Sequence, residues 1–184
     1  LEHLEDEVLN NGVEGTRAAI NFLQSLRDML AGNSKSSVNV TVKWDGAPAI
    51  FAGINPENDK FFVGTKGVFN VSPKINYTDA DIDANHSSAG LNAKLKVALK
   101  YLSKLGIKNV LQGDMLFTKE DLKTEKIDGK SYTTFQPNTI LYAVPTDSSA
   151  KITKAKMGIV WHTTYTGKKL EDMKASFGAS VSSL

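Results

Sequence analysis

The stretch Val40-Thr41-Val42-Lys43-Trp44-Asp45-Gly46 sets an amine, a carboxylate and a glycine almost side by side, directly after an alternating apolar run. A charged lysine flanked by Val42 and Trp44 is costly to desolvate, so Lys43 either turns outward on a pleated face or is held there to react. The plain alternative is a solvent-facing strand lysine beside a turn at Asp45-Gly46. Lys66, between Gly64 and Gly67 in "FFVGTKGVF", either flanks a turn or offers a cation to phosphate oxygens. Asp114, in "VLQGDMLF", is an outward-facing strand acid, a salt-bridge partner that orients a lysine, or a ligand. His3, His86 and His162 are too scattered to suggest a metal site, and His162 reads as a satisfied strand histidine. Trp44 and Trp161 read as core residues. Cysteine is absent, which removes thiolate catalysis, disulfides and cysteine-bound zinc. No nucleophile-elbow serine, Walker loop or dinucleotide fingerprint is present, so hydrolase and kinase readings have little support.

These residues need elements to position them. The chain has 184 residues with 41% hydrophobic content, enough for one domain with a proper core. Residues 13–31 carry apolar side chains at helical spacing (Ala19, Ile20, Phe22, Leu23, Leu26, Met29, Leu30), closed by Gly32 and Asn33. Val38, Val40 and Val42 alternate as a half-buried strand; Ala49 to Ile54 and Lys60 to Thr65 follow as an antiparallel pair about the turn at residues 55–59. A second helix starts after Ser87-Ser88, with a stripe of Leu91, Leu95, Leu99 and Leu102, and ends at Gly106. Lys96, Lys100 and Lys104 line another face of it, which reads as a solvated face rather than a nucleic-acid contact. Further strands are expected at 109–117, 139–145 and 157–165, the first two joined by a polar insert with Asp128-Gly129, and the tail to about Phe177 reads as weakly helical. The order of elements makes the fold class α+β, antiparallel sheets with flanking helices. Net charge is +2, and of 22 basic residues only Arg17 and Arg27 are arginine. Bidentate guanidinium forks are the usual readers of base edges, so sequence-specific nucleic-acid recognition is not expected. No stretch is long and apolar enough to cross a bilayer and the first residues are acidic, so no membrane partner is expected, and the location is read as cytoplasmic.

Lys43-Trp44-Asp45-Gly46 fits Lys-x-Asp-Gly and resembles the covalent nucleotidyltransferases, the superfamily of ATP-dependent DNA ligases, RNA ligases and capping enzymes. In sequence order, "FFVGTKGVF" (Thr65, Lys66, Gly67), "VLQGDMLF" (Gly113, Asp114), "TILYAVPTD" (Tyr142) and "KMGIVWHTTY" (Ile159) match that family's later motifs in kind, over roughly residues 38–165. The same set also resembles a divergent ligase-like group of tailed phages, whose setting would be the host cytoplasm. The resemblance implies an ATP-grasp-like nucleotidyltransferase core in which Lys43 attacks the α-phosphate of ATP and forms a lysyl-AMP. A lysine partly desolvated or near other cations has its pKa lowered and presents an amine near neutral pH. The resemblance makes Lys43 and Asp45 catalytic, and Thr41, Val42, Trp44, Gly46, Thr65, Lys66, Gly67, Gly113, Tyr142 and Ile159 nucleotide-binding. Asp114 would be the ligand of Mg2+. ATP and Mg2+ are the implied cofactors, and nucleic-acid ends, DNA or RNA, the implied partner of a monomer.

Four departures weigh on that reading. Pro48 stands where ligases carry an arginine, Met157 where a metal-binding glutamate belongs, and His162 where a lysine is common. A Lys-x-Lys motif after residue 165 has no clear match, since Lys154-Ala155-Lys156 precedes "MGIV". Each removes charge stabilisation from the first step. The expectation is therefore a single domain over 1–184, with helices at 1–36, a motif-bearing core at 37–166 and a tail at 167–184, acting as an ATP-dependent polynucleotide ligase-like nucleotidyltransferase. The alternative is a catalytically degenerate nucleotide- or nucleic-acid-binding phage accessory protein.

Overall fold

The computed structural model describes residues 3–33 and 42–181. The chain divides into two compact units, residues 1–43 and 44–184. The described part of the first is one helix, α1 (Leu4–Leu30), which absorbs the expected helix at 13–31 and starts nine residues earlier. Non-helical backbone at Gly12 kinks it, and Gly12 has the positive φ that only glycine takes without strain. The expected strand at Val38–Val42 lies mostly outside the described residues, as does Thr41; Val42 itself is 77% exposed and belongs to no strand.

The second unit holds β1 (Ala49–Ile54), β2 (Phe61–Gly64), α2 (Asp79–Asn85), α3 (Ala89–Leu102), β3 (Val110–Thr118), β4 (Lys123–Ile127), β5 (Lys130–Phe135), β6 (Tyr142–Pro145), α4 (Ala150–Lys154), β7 (Met157–Thr166) and β8 (Lys174–Phe177). A five-stranded antiparallel sheet runs β2-β1-β3-β7-β8, and a three-stranded one runs β4-β5-β6. The fold is α+β with antiparallel sheets, as the sequence implies.

Two expectations are corrected. The polar insert around Asp128-Gly129 is itself a hairpin, β4–β5, turning on positive φ at both residues (48° and 78°), the conformation that a tight two-residue hairpin turn requires. Its first strand, Lys123–Ile127, is exposed at every position, so no hydrophobic alternation betrays it. The tail is not helical: Lys174–Phe177 adds β8 to the sheet edge beside β7. Short helix α2 has no apolar period long enough to announce it, although Thr78 and Asp81 form a reciprocal capping box at its start. Helix α3 begins where expected, with the Ser88 hydroxyl accepting from Leu91 N.

The inner strands of the large sheet, β1 and β3, are covered on both faces. Ile50, Ala52, Leu111 and Met115 pack with Leu95, Ala98 and Leu102 of α3 in one cluster. On the opposite face two separate clusters form. Phe51, Phe62, Val68, Val110 and Leu170 make one; Leu116, Phe117 and Phe135 make the other, joined by Tyr142 and Val144 of the small sheet.

Candidate functional site

The alternation of β3 explains where polar groups collect. Successive strand side chains point to opposite faces, so Leu111 and Met115 join the α3-facing core while Val110, Gln112, Asp114 and Leu116 share the other face. On that face Val110 belongs to one apolar cluster and Leu116 to the other. Gln112 and Asp114 occupy the interval, half-buried, between the parts of the molecule that cover each end. Strand β7 repeats the order: Val160 lies in the Leu116 cluster and Tyr165 in the Phe51 cluster. Between them a bulge, where Gln112 pairs with Thr163 and Gly113 with Trp161, leaves His162 without an opposite residue. His162 Nε2 stands 3.7 Å from Asp114 Oδ1, with both side chains 22% exposed. His162 Nδ1 shares a 2.8 Å hydrogen bond with Thr163 Oγ1, and Tyr165 Oη donates to Gln112 Oε1 at 2.8 Å. The result is a half-buried polar strip, Gln112-Asp114-His162, bounded along the strands by aromatic-rich apolar clusters.

The segment from Trp44 to Pro48 is laid against this strip. Ala47 N donates to Met115 O (3.0 Å) and Met115 N to Pro48 O (3.1 Å), which extends the β1–β3 pairing backwards past Ala49 opposite Asp114. Pro48 therefore stands where only its carbonyl is needed, and its missing N–H costs nothing. Gly46 comes so close that a Cβ there would lie 2.7 Å from Met115 O and 2.9 Å from the Asp114 Cβ. Only glycine permits that approach. Asp45 is held from the small sheet: its N–H donates to Tyr142 Oη (2.9 Å), Tyr142 Oη donates back to the Asp45 carbonyl (3.0 Å), and Asn138 Nδ2 donates to Asp45 Oδ2 (3.1 Å).

The expected site residues thus divide. Asp45, Gly46, Asp114 and Tyr142 come together in the second unit, whereas Gly113 is buried and faces the α3 side, where a Cβ would meet Trp161. Trp44, 43% exposed, tilts against the Tyr142 ring with centroids 5.4 Å apart. The resemblance sets Tyr142 beside a base, but its ring is already stacked on Phe135 at 5.2 Å and its hydroxyl is committed to the Asp45 backbone. Ile159 is not on the strip: opposite Met115, it packs into the α3-facing core, on the reverse side of the sheet from Asp114. Thr65, Lys66 and Gly67 follow β2, whose Gly64 pairs with Phe51 near the start of β1. Thr65 Oγ1 accepts from Gly67 N and caps a 3-10 turn, leaving Lys66 exposed. Lys43 is exposed, outside any strand, and is the last residue of the first unit, immediately before Trp44. The reading of Lys43 as a strand lysine is corrected: it stands outside any strand, and β1 begins only at Ala49. Met157, in place of an acid, packs against the α3-facing core. Sequence reasoning missed Asn138, for which no motif signals, and the pairing of His162 with Asp114, for which the unmatched lysine position was a signal.

As a metal ligand set the strip is sparse. Among the described residues no three His, Cys, Asp or Glu side chains converge. Mg2+ keeps much of its water and is commonly held by one or two carboxylates plus substrate phosphates, so Asp114 fits it as a single carboxylate ligand to an ion arriving with a nucleotide.

A protein-family model, described as a family of unknown function (DUF6267), matches residues 1–184, and the chain belongs to that family. No curated protein and no solved structure matches the chain.

Proposed function

We propose that the chain is an ATP-dependent, polynucleotide ligase-like nucleotidyltransferase that forms a lysyl-AMP at Lys43. The observation that supports the reading is the laying of Asp45 and Gly46, two and three residues after Lys43, against Asp114 of β3, by a contact only glycine allows. Motifs far apart in the chain, at Asp45 and at Asp114, are thereby brought to one half-buried polar strip. In the proposed step the deprotonated Lys43 amine attacks the α-phosphorus in line. An N–P bond forms, the bond from the α-phosphorus to the oxygen bridging the β-phosphate breaks, and pyrophosphate leaves with that electron pair. The nitrogen's remaining surplus proton passes to solvent. Mg2+, held at Asp114, would neutralise phosphate charge. Asp45, fixed by Asn138 and Tyr142, orients the ribose or the attacking amine; Lys66, exposed after β2, meets phosphate oxygens. Transfer of the AMP to a 5′-phosphate end of DNA or RNA would follow.

The test is incubation with α-labelled ATP and Mg2+ followed by denaturation. An acid-labile label on the wild type that disappears in Lys43→Ala supports the proposal; an unlabelled wild type overturns it. A second reading, a nucleotide- or nucleic-acid-binding protein without covalent chemistry, is favoured by Pro48 and Met157, which take structural places in the strand pairing and the core where the resemblance calls for charge. It predicts nucleotide-dependent thermal stabilisation with no adduct.

A further inference from the structure

On the α3-covered side of the large sheet, away from the Asp114 strip, a cavity of about 790 Å³ opens between α3, the start of α2 and the turn after β3. Four lysines line it: Lys96 and Lys100 from α3, Lys119 from the turn and Lys156 just before β7. Lys119 N donates to Lys156 O at 3.1 Å, so these two leave neighbouring strand ends side by side. Lys96 is bound to Asp83 at 2.7 Å. Lys100, Lys119 and Lys156 are exposed and join no ion pair among the described residues. Asp79 and Glu120 also border the space, so the lysines outnumber the acids by two to one.

Aromatic rings share the same walls. Phe61, Tyr77 and Tyr101 line the cavity, all half-buried, and Lys100 and Lys104 sit over the Tyr101 ring at 5.5 and 6.0 Å from its centroid. Residues four apart on a helix rise by about 6 Å on one face, which sets Lys96 and Lys100 one turn apart on α3, and Lys104, in the turn just past the helix end, reaches the same Tyr101 ring as Lys100, so the cations continue beyond the cavity. A mononucleotide in the cavity would leave the cation beyond it unused. A chain of phosphates with bases between them would use both. Lysines are compact point charges that contact phosphate without reading base edges, and aromatic side chains stack any base.

We propose that this lysine-lined groove binds the backbone of single-stranded nucleic acid without sequence preference. It lies apart from the proposed adduct site and does not depend on that chemistry.

Fluorescence anisotropy of the full chain with a labelled single-stranded oligonucleotide, across a salt titration, tests it. Wild type should bind with affinity falling steeply as salt rises. Replacing Lys100, Lys119 and Lys156 together by Gln should weaken binding about tenfold or more and lower the log–log salt slope by about 2, roughly 0.7 for each phosphate that a lysine no longer neutralises. A control that removes the same charge, Lys126→Gln, Lys130→Gln and Lys174→Gln on exposed strand positions, should bind as wild type. If the first variant fails to fold, protection of Lys100, Lys119 and Lys156 from acetylation by the oligonucleotide in the wild type gives the same answer. Absence of binding by the wild type, equal weakening in both variants, no protection, or displacement by inorganic tripolyphosphate as effective as by unlabelled oligonucleotide at matched phosphate concentration overturns the proposal. Labelling of Lys43 by ATP, measured in parallel, separates this outcome from the fate of the adduct reading.

Discussion

Gly46 and Tyr142 show how single residues set the site, and each can be tested by one substitution. In Gly46→Ala the new methyl group would meet a backbone carbonyl at 2.7 Å, which cannot swing aside as a side-chain tip would. Forcing extra atoms into a packed position costs about 1–3 kcal/mol, so the thermal midpoint should fall by several degrees, and labelling at Lys43 should fall with it because Asp45 is displaced. Tyr142→Phe keeps the stack on Phe135 and removes both bonds to the Asp45 backbone. The stability cost should be modest, about 1–2 kcal/mol for the two unpaired backbone groups. If Tyr142 positions Asp45, labelling should drop by at least about tenfold, equivalent to about 1.4 kcal/mol of barrier; unchanged labelling in a folded Tyr142→Phe protein would leave the clasp a structural tie only. Part of this arrangement is legible in the sequence. Gly46, Gly113 and Asp114 stand out because glycine and acid types at ordered positions constrain backbone approach. The Asn138 pairing does not, since it depends on how the small sheet falls in space, and the His162 pairing shows in the sequence only as an unmatched lysine position, its partner being set by the bulge.

At the scale of elements, legibility follows burial. Strands β1, β3 and β7 carry apolar runs because their part of the large sheet packs on both faces, and those runs mark their places closely. Strands β4 and β8 bury nothing, so their sequences contain no period to read, and only pairing with neighbours makes them strands. Helix α2 and the link into α3 carry the clearest pH response. Burial first, and then the nearby Lys74 charge, push the His86 pKa below its usual 6.5. The His86 ring meets Asn76 Nδ2 at 3.2 Å, a contact in which a neutral Nε2 accepts. A depressed histidine pKa means that the unfolded chain binds the proton more readily, so stability is fully present above about pH 6.5 and is lost as the pH falls from there through the lower value of the folded state. Asp81 and Asp121 act in a lower window. The Thr78 hydroxyl chiefly holds Asp81 down; for Asp121, burial pulls upward and is outweighed by the Thr118 N–H and hydroxyl and by Lys94. Their contribution is present above 3.8 and fades only in stronger acid. The thermal midpoint should therefore decline in two stages on acidification, and His86→Gln, which cannot titrate, should flatten the first stage alone. A first stage unchanged in His86→Gln would assign it elsewhere.

At the scale of the whole molecule the two units are unequal in what they can bury. Every buried member of the three apolar clusters lies between Ile50 and Leu170, inside the second unit. Helix α1 buries only Gly15 and Ala19 and leaves Leu9 and Leu30 more than 70% exposed. Isolated helices are held mainly by tertiary packing of an apolar face, and α1 has little of its own. A chain begun at Val42 keeps Lys43, the Asp45 clasp and all three clusters. It should unfold cooperatively with a midpoint within a few degrees of the full chain, by calorimetry or near-ultraviolet circular dichroism. It should also still take label from ATP, if Lys43 acts through the segment that leads into Gly46. A chain begun at Trp44 should fold equally well and take none. The fragments differ by Val42 as well as Lys43, so Lys43→Ala in the longer fragment, folded and unlabelled, assigns the difference to the amine. Failure of both to fold would mean that the first unit supplies stability that the buried clusters do not account for.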